Sequence, residues 1–470
     1  MLELLKSLSR SEQVLLKRQQ VLNKKMISKF CIRTLGCKVN QYESDVIAQT
    51  LTESGSVPTY AEGDSGLCIV NTCAVTQKAA MQSRQAVRQA IRNNPTARIL
   101  VTGCYAQTEP DEFKQIKGVH VIVGHKNKYE IPQLVNALTE AESRIPVSIC
   151  QNVTNERIFR QTPSIPRQDR TRPILKIQDG CDACCTYCIV PRARGPSRSM
   201  PVKNVLDSIR ELKQVGYHEV VLSGVHLGRY GLDLHSKFSL SELLGCICAS
   251  GAIDRVRLSS IDPLEVSPDI LKFTRKSRSE YGRLCRHFHI PLQSGDDFIL
   301  KKMKRSYGRS FFRALVRNIQ ETIPDVAIGV DILIGFPGET EEAFQNTYNL
   351  IYELPVAYLH VFPFSSRKGT PADTYSDKVP TKVIKARSRK MRELGDQKRK
   401  TFLTRFIGEK VEVLIERKAT GIQNFFRGIT SNYIPVLVRS NEDLRNTIID
   451  VRIEKLHGGP TALGTLCKMY

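Results

Sequence analysis

Cys181-Asp182-Ala183-Cys184-Cys185-Thr186-Tyr187-Cys188 is the stretch on which the fold turns. Cys181, Cys185 and Cys188 form a C-x3-C-x2-C spacing directly after a short apolar run at residues 174–178. Cubane iron–sulfur clusters are held by cysteine thiolates, normally four, so three close ligands leave one iron free to bind something else. Four-cysteine zinc sites usually pair two C-x2-C knuckles, and the sequence has no second knuckle. Cys184 reads as a spare thiol rather than a ligand.

Downstream of this loop, apolar runs recur at residues 219–223, 255–259, 287–292, 327–334 and 358–363, with helical patterns such as 202–215 between them. Ser239 followed by Glu242 is a capping box that opens one of these helices. With the run at 174–178, this makes six βα units and predicts a partial (βα)6 barrel rather than the full eight. Active sites of such barrels lie at the C-terminal ends of the strands, where the cysteine loop sits.

Upstream, residues 30–138 also alternate strand and helix, with strands expected at 30–35, 67–71, 98–102 and 119–123. The clearest helical patterns are 79–93 and 128–138, which together predict an open parallel-sheet domain. A cysteine follows each of the first three strands: Cys37 in Thr34-Leu-Gly-Cys-Lys-Val-Asn40, Cys73 in Asn71-Thr-Cys-Ala-Val-Thr76, and Cys104 in Gly103-Cys-Tyr-Ala-Gln107. Open parallel sheets bind ligands beyond the carboxyl ends of their strands, so the three thiols have a route to one point. Free cysteine is also a common core residue, and spacing alone leaves both readings open.

The flanks are plainer. Residues 1–26 read as a basic amphipathic helical extension, without the continuous apolar core of a signal peptide. Residues 139–172 lose periodicity and read as a linker. Residues 381–405 form a basic helical stretch, with ten Lys/Arg against two Asp/Glu. Residues 408–470 turn to β patterning at 410–415, 424–430, 434–439 and 447–456, the size of a small oligonucleotide-binding barrel. Phe425, Phe426 and Tyr433 there are candidates to stack on bases. The expected domains are thus 1–26, 27–140, 141–170, 171–400 and 401–470.

Composition sets the outer bounds. The 470 residues carry a formal charge of +23, 14 cysteines and no tryptophan, with 41% hydrophobic residues. That balance excludes long disorder, and no apolar run approaches the ~18 residues of a transmembrane helix. Unpaired thiols in a chain without a secretory signal point to a cytoplasmic protein using them for metal or redox chemistry. The charge suggests a polyanionic partner, most simply nucleic acid.

The Cys181/Cys185/Cys188 motif resembles that of the radical S-adenosylmethionine (SAM) superfamily. The N-terminal trio, the central motif and the C-terminal β segment, in this order, resemble the methylthiotransferase family of that superfamily, over residues 30–470. Thr34–Ser44, Asn71–Thr76, Arg257–Ser260 and His360–Ser365 resemble the subtype that acts on N6-threonylcarbamoyladenosine in tRNA. Subtypes that modify isopentenyladenosine or a ribosomal protein are the alternatives. The isopentenyladenosine subtype usually carries Gln-Met-Asn after its first ligand, where this chain has Lys38-Val39-Asn40.

The resemblance implies two 4Fe–4S clusters, one on Cys37, Cys73 and Cys104 and one on Cys181, Cys185 and Cys188. It implies that the open iron of the second cluster chelates SAM, and that Tyr187 packs near the adenine. Other strand-end residues, namely Ser223, Gly224, Ser259, Gln293, Asp331 and Gly335, are then SAM or substrate contacts. It implies methylthiolation at C2 of the adenine with two SAM molecules, one as methyl donor and one as radical source. No catalytic residue is expected beyond the cluster ligands. The implied partners are a tRNA anticodon loop, a flavodoxin- or ferredoxin-like electron donor and a sulfur donor, with no membrane. The C-terminal segment resembles a TRAM domain.

Overall fold

A computed structural model of the chain describes residues 28–137, 146–160, 170–276 and 283–467. The expected helix at 1–26 lies outside them, as does part of the expected linker. The described residues fall into two compact units, divided between Val153 and Thr154.

The first unit is built on a six-stranded, all-parallel sheet. Its strands are β1 (Lys29–Thr34), β2 (Val57–Pro58), β3 (Leu67–Thr72), β4 (Arg98–Gly103), β5 (Val121–Val123) and β6 (Val147–Ile149). They lie in the order β2-β1-β3-β4-β5-β6. The central strands read as continuous apolar runs because helices cover both faces; every residue of β3 is buried. Two strands fall outside the periodic pattern: two-residue β2, and edge strand β6, which pairs with β5 from within the segment read as a linker.

The second unit opens with six parallel strands in sequence order. One sheet holds β7 (Ile174–Lys176), then β10 (Glu219–Ser223) and β11 (Arg255–Leu258). The other holds β12 (His287–Gln293), β13 (Ala327–Ile334) and β14 (Tyr358–Pro363). Parallel bridges Val256↔Leu284 and Ser260↔His289 join β11 to the second sheet, giving the six-strand partial barrel. Two short strands, β8 (Gln178–Asp179) and β9 (Arg198–Ser199), pair beside the cysteine loop.

Side chains alternate across a strand, and here the two faces differ sharply. Phe288, Ile290 and Leu292 on β12, and Ile328, Val330, Ile332 and Ile334 on β13, form the fully buried face. The opposite face carries Gln178, Glu219, Ser223, Arg257, Ser259, His289, Asp331 and His360. Full barrels fill this interior with Val, Ile and Leu; a polar lining marks it as a cavity wall.

The helix Thr381–Thr404 then packs along β14 and leads into a closed barrel, β15 (Lys410–Lys418), β16 (Phe425–Thr430), β17 (Pro435–Arg439), β18 (Ile448–Leu456) and β19 (Ala462–Leu466). This confirms the expected fold class. The fifth strand, β19, is too short to show a period. The end of the basic helix (Phe402, Leu403), the first residue of β13 (Ala327) and Phe426 share one apolar core.

Candidate functional site

The N-terminal mouth of the partial barrel is closed. Glu219, wholly buried at the start of β10, meets Arg257 at 2.7 Å and Arg255 at 2.9 Å. Burial opposes its charge, yet Arg257, Arg255 and Arg172 hold its pKa at about 2. Arg257 also donates to the carbonyls of Ser431 (2.9 Å) and Thr430 (3.0 Å) in the β16–β17 turn. Tyr433, left-handed at φ 65°, stacks on His287 with ring centroids 4.4 Å apart. Tyr433 is therefore part of the floor and Phe426 part of the core, so neither is free to stack on a base. Phe425 is half-buried on β16.

The open end carries the cysteine loop, and its path is fixed by its own sequence. Gly180 has φ +72°, and a Cβ there would lie 1.9 Å from the carbonyl oxygen of Pro196, so glycine is required just before Cys181. Asp179 accepts from Arg194 at 2.9 Å, Arg198 at 3.0 Å and Lys176 at 3.1 Å, all buried. Thr186 clamps the far side, its amide donating to Met303 O at 3.2 Å.

Cys181, Cys185 and Cys188 are free thiols, the first two close enough to raise the pKa of Cys188. Burial first, then the two neighbouring thiols, push Cys188 to about 12. Among the described residues, the group with all its donor atoms within 4.8 Å is His289, Asp331 and His360, not a cysteine set. Tetrahedral zinc at ~2.3 Å would draw its thiolates to about 3.8 Å. Three cysteines on one short loop, with no second knuckle, suit a cluster, whose ligands sit on different irons.

Two cationic donors face these sulfurs. His226 Nδ1 lies 3.3 Å from Cys181 Sγ, and Arg305 Nη1 donates to Cys185 Sγ at 3.5 Å. One turn just past β11 supplies a carboxylate behind each: Glu265 Oε1 is 2.9 Å from His226 Nε2, and Asp262 pairs with Arg305. Sequence reasoning missed all four, although each lies in a loop at the strands' C-terminal end.

The remaining expected contacts divide. Tyr187 packs edge-on against Phe336, centroids 6.4 Å apart, within an apolar cluster beside the loop. Ser259 Oγ is buried without a hydrogen-bond partner. Gln293 has φ 68° at a register shift between β12 and β13, a strained conformation of the kind that collects at functional sites. Ser223 ends β10 and Gly224 follows it, a Cβ on Gly224 being 2.8 Å from Gln178 Oε1. Gly335 has a packing reason, since a Cβ would meet Ile384 at 2.4 Å. Asp331 meets His289 and His360 on the cavity wall.

In the first unit, the strand order reverses between β1 and β3, the switch point where open α/β sheets bind ligands. Cys37 follows β1, Cys73 follows β3 and Cys104 follows β4, and these three strands are neighbours with ends in register. A Cβ on Gly36 would lie 3.0 Å from Cys73 Sγ, so glycine opens the space beside that thiol. Fully buried Asn40 ties the three ends together. It donates to Leu35 O (2.8 Å) and Thr72 O (3.1 Å), and Cys104 Sγ lies 3.9 Å from its Oδ1. The thiols thus share one edge of the sheet, Cys37 exposed and the other two buried.

Of the ten cations on the basic stretch, several are engaged in packing, Arg392 among them by a long bond to Val361 O at 3.5 Å. Arg387 pairs with Glu339 at 2.8 Å, and Lys398, Arg399 and Arg405 donate to the carbonyls of Leu354, Tyr433 and Pro324. Lys382, Lys385, Arg389, Lys390, Arg392 and Lys400 are exposed. No helix among the described residues is long and apolar enough to cross a membrane.

A six-strand parallel half-barrel with a C-x3-C-x2-C loop at the end of its first strand defines a radical SAM fold. Residues 175–351 match the Radical SAM superfamily, and residues 29–124 match the family described as Uncharacterized protein family UPF0004. A radical SAM methyltransferase, TsrM from Kitasatospora setae, has a similar fold (TM-score 0.52, 17% identity, covering 74% of this chain and 77% of that one). The threonylcarbamoyladenosine tRNA methylthiotransferase MtaB of Bacillus subtilis is 37% identical, over 90% of this chain and 93% of the relative. The tRNA-2-methylthio-N(6)-dimethylallyladenosine synthase of Acetivibrio thermocellus is 32% identical, over 90% and 88%. The chain belongs to the methylthiotransferase family of radical SAM enzymes. It is a transferase, and SAM and iron–sulfur chemistry follow from that family.

Proposed function

We propose that this enzyme methylthiolates C2 of N6-threonylcarbamoyladenosine beside the anticodon of tRNA, using two SAM molecules and two 4Fe–4S clusters. The observation that carries the two-cluster reading is the second thiol set. Cys37, Cys73 and Cys104 end three neighbouring strands at the switch point, in addition to the loop any radical SAM enzyme needs. The substrate follows the relatives that carry that name, at 37% identity over 90% of this chain in one case.

In this reading Cys181, Cys185 and Cys188 hold one cluster and Cys37, Cys73 and Cys104 the other. A cluster held by these thiolates would supply the electron for splitting SAM into methionine and a 5′-deoxyadenosyl radical. His226 and Arg305 offset the negative charge of the thiolates. Tyr187 walls the adenine, and Ser223, Gly224, Ser259, Gln293, Asp331 and Gly335 line the SAM and substrate space. The adenine C2–H is too weakly acidic for a side-chain base, so no acid–base pair is required. Extruding the base from its stack brings it to the polar cavity wall. The exposed cations of Thr381–Thr404 contact RNA phosphates, a flavodoxin- or ferredoxin-like protein delivers electrons, a separate donor supplies sulfur, and the setting is cytoplasmic.

The test is Cys37→Ala in anaerobically reconstituted enzyme. It is expected to keep SAM cleavage to 5′-deoxyadenosine and to lose methylthiolation. Loss of both activities together argues against separate roles for the two thiol sets.

A further inference from the structure

His289, Asp331 and His360 each come from a different strand of the second sheet, and the two histidines have no role in the chemistry above. His289 Nε2 lies 2.7 Å from Asp331 Oδ1, and His360 Nδ1 lies 3.3 Å from the same oxygen. All three donor atoms fall within 4.8 Å of one another.

The strands enforce this meeting. Asp331 is the register partner of His360, and His289 stands opposite Gly329, two residues before Asp331. Their sequence neighbours Ile290, Val330 and Ile332 are fully buried on the other face, so all three polar side chains project from the cavity wall. The back of the site is braced. His289 Nδ1 lies 3.2 Å from the hydroxyl of Tyr358, which also lies 2.8 Å from His287 Nε2. Gly329 makes room for that ring, since a Cβ there would lie 2.1 Å from Tyr358 Cζ. An outer partner on the far ring nitrogen fixes which nitrogen of a ligating histidine faces the metal. The front is open, with His360 exposed.

We propose that His289, Asp331 and His360 bind one divalent transition-metal ion, zinc or ferrous iron, separate from the iron–sulfur clusters. Two imidazoles and one carboxylate on one side of an ion are a recognised donor set for such metals, with positions left for other ligands. Ligand distances of ~2.1 Å place neighbouring donors about 3.0–3.4 Å apart, close to the spacing seen here. The open positions face the cavity and take an oxygen donor, from water or from a substrate.

Zinc is the probe. Cluster-loaded enzyme is dialysed to equilibrium against zinc, and zinc and iron are measured together by mass spectrometry. The expected result is about one zinc per chain with iron unchanged, and at least tenfold weaker zinc binding in His360→Ala and Asp331→Asn. His360 is exposed, so its replacement leaves the fold intact. Absence of bound zinc, or equal binding in both variants, would overturn the site and leave the three residues as a hydrogen-bond network. Both readouts are independent of RNA, so their failure is distinct from failure of the proposed function.

Discussion

His226 Nδ1 stands 3.3 Å from Cys181 Sγ, with Glu265 at the far edge of the same imidazole. A donor on a ligating thiolate stabilises the more negative, reduced state of a cluster and raises its potential. His226→Ala is expected to lower the midpoint potential of the central cluster without changing iron content. A redox titration followed by electron paramagnetic resonance reads this directly; an unchanged potential would show that the imidazole has no hold on the cluster.

Glu219 joins the floor of the catalytic barrel to the C-terminal barrel through Arg257. Its folded pKa of about 2 lies below the ~4.3 of an unfolded glutamate. A depressed carboxylate contributes stability above the unfolded value and loses it as pH falls from about 4.3 through about 2, roughly 3 kcal/mol in all. Glu219→Gln leaves buried guanidiniums without a counter-charge and is expected to cost about 3–5 kcal/mol at neutral pH. It is also expected to flatten the stability profile across that acid window. Denaturant titrations from pH 7 downward measure both, and an unaltered profile contradicts the assignment.

The basic helix separates into two kinds of cation. Lys385→Ala, Arg389→Ala and Lys400→Ala combined are expected to weaken tRNA binding and flatten its salt dependence, by about one unit of slope per phosphate contact removed. Arg387→Ala instead strands buried Glu339, and is expected to lower thermal stability. Filter binding across a salt series checks the first; undiminished affinity in the triple variant removes the helix from the RNA interface.

Much of this organisation is legible in the residues. Six apolar runs give the six barrel strands because a parallel sheet buries them, and the C-x3-C-x2-C loop identifies the functional end. The rest lacks a local signal. β2, β6 and β19 are too short for a period and exist through their neighbours. Tyr433 reads as a base-stacking candidate or a core aromatic until the turn that holds it is seen plugging a barrel. His226, Arg305, His289 and His360 acquire partners only through packing across strands, at sequence separations no spacing rule covers. The charge of the basic helix is equally ambiguous in sequence, since nothing there separates Arg387 on Glu339 from exposed Lys385.

The central claim is the RNA product. Mass spectrometry of tRNA nucleosides, with and without the gene, tests it most directly. The expected result is loss of the methylthio form of N6-threonylcarbamoyladenosine, with the unmethylthiolated nucleoside rising in its place. An unchanged level of that form, or loss of methylthio-dimethylallyladenosine instead, contradicts the account.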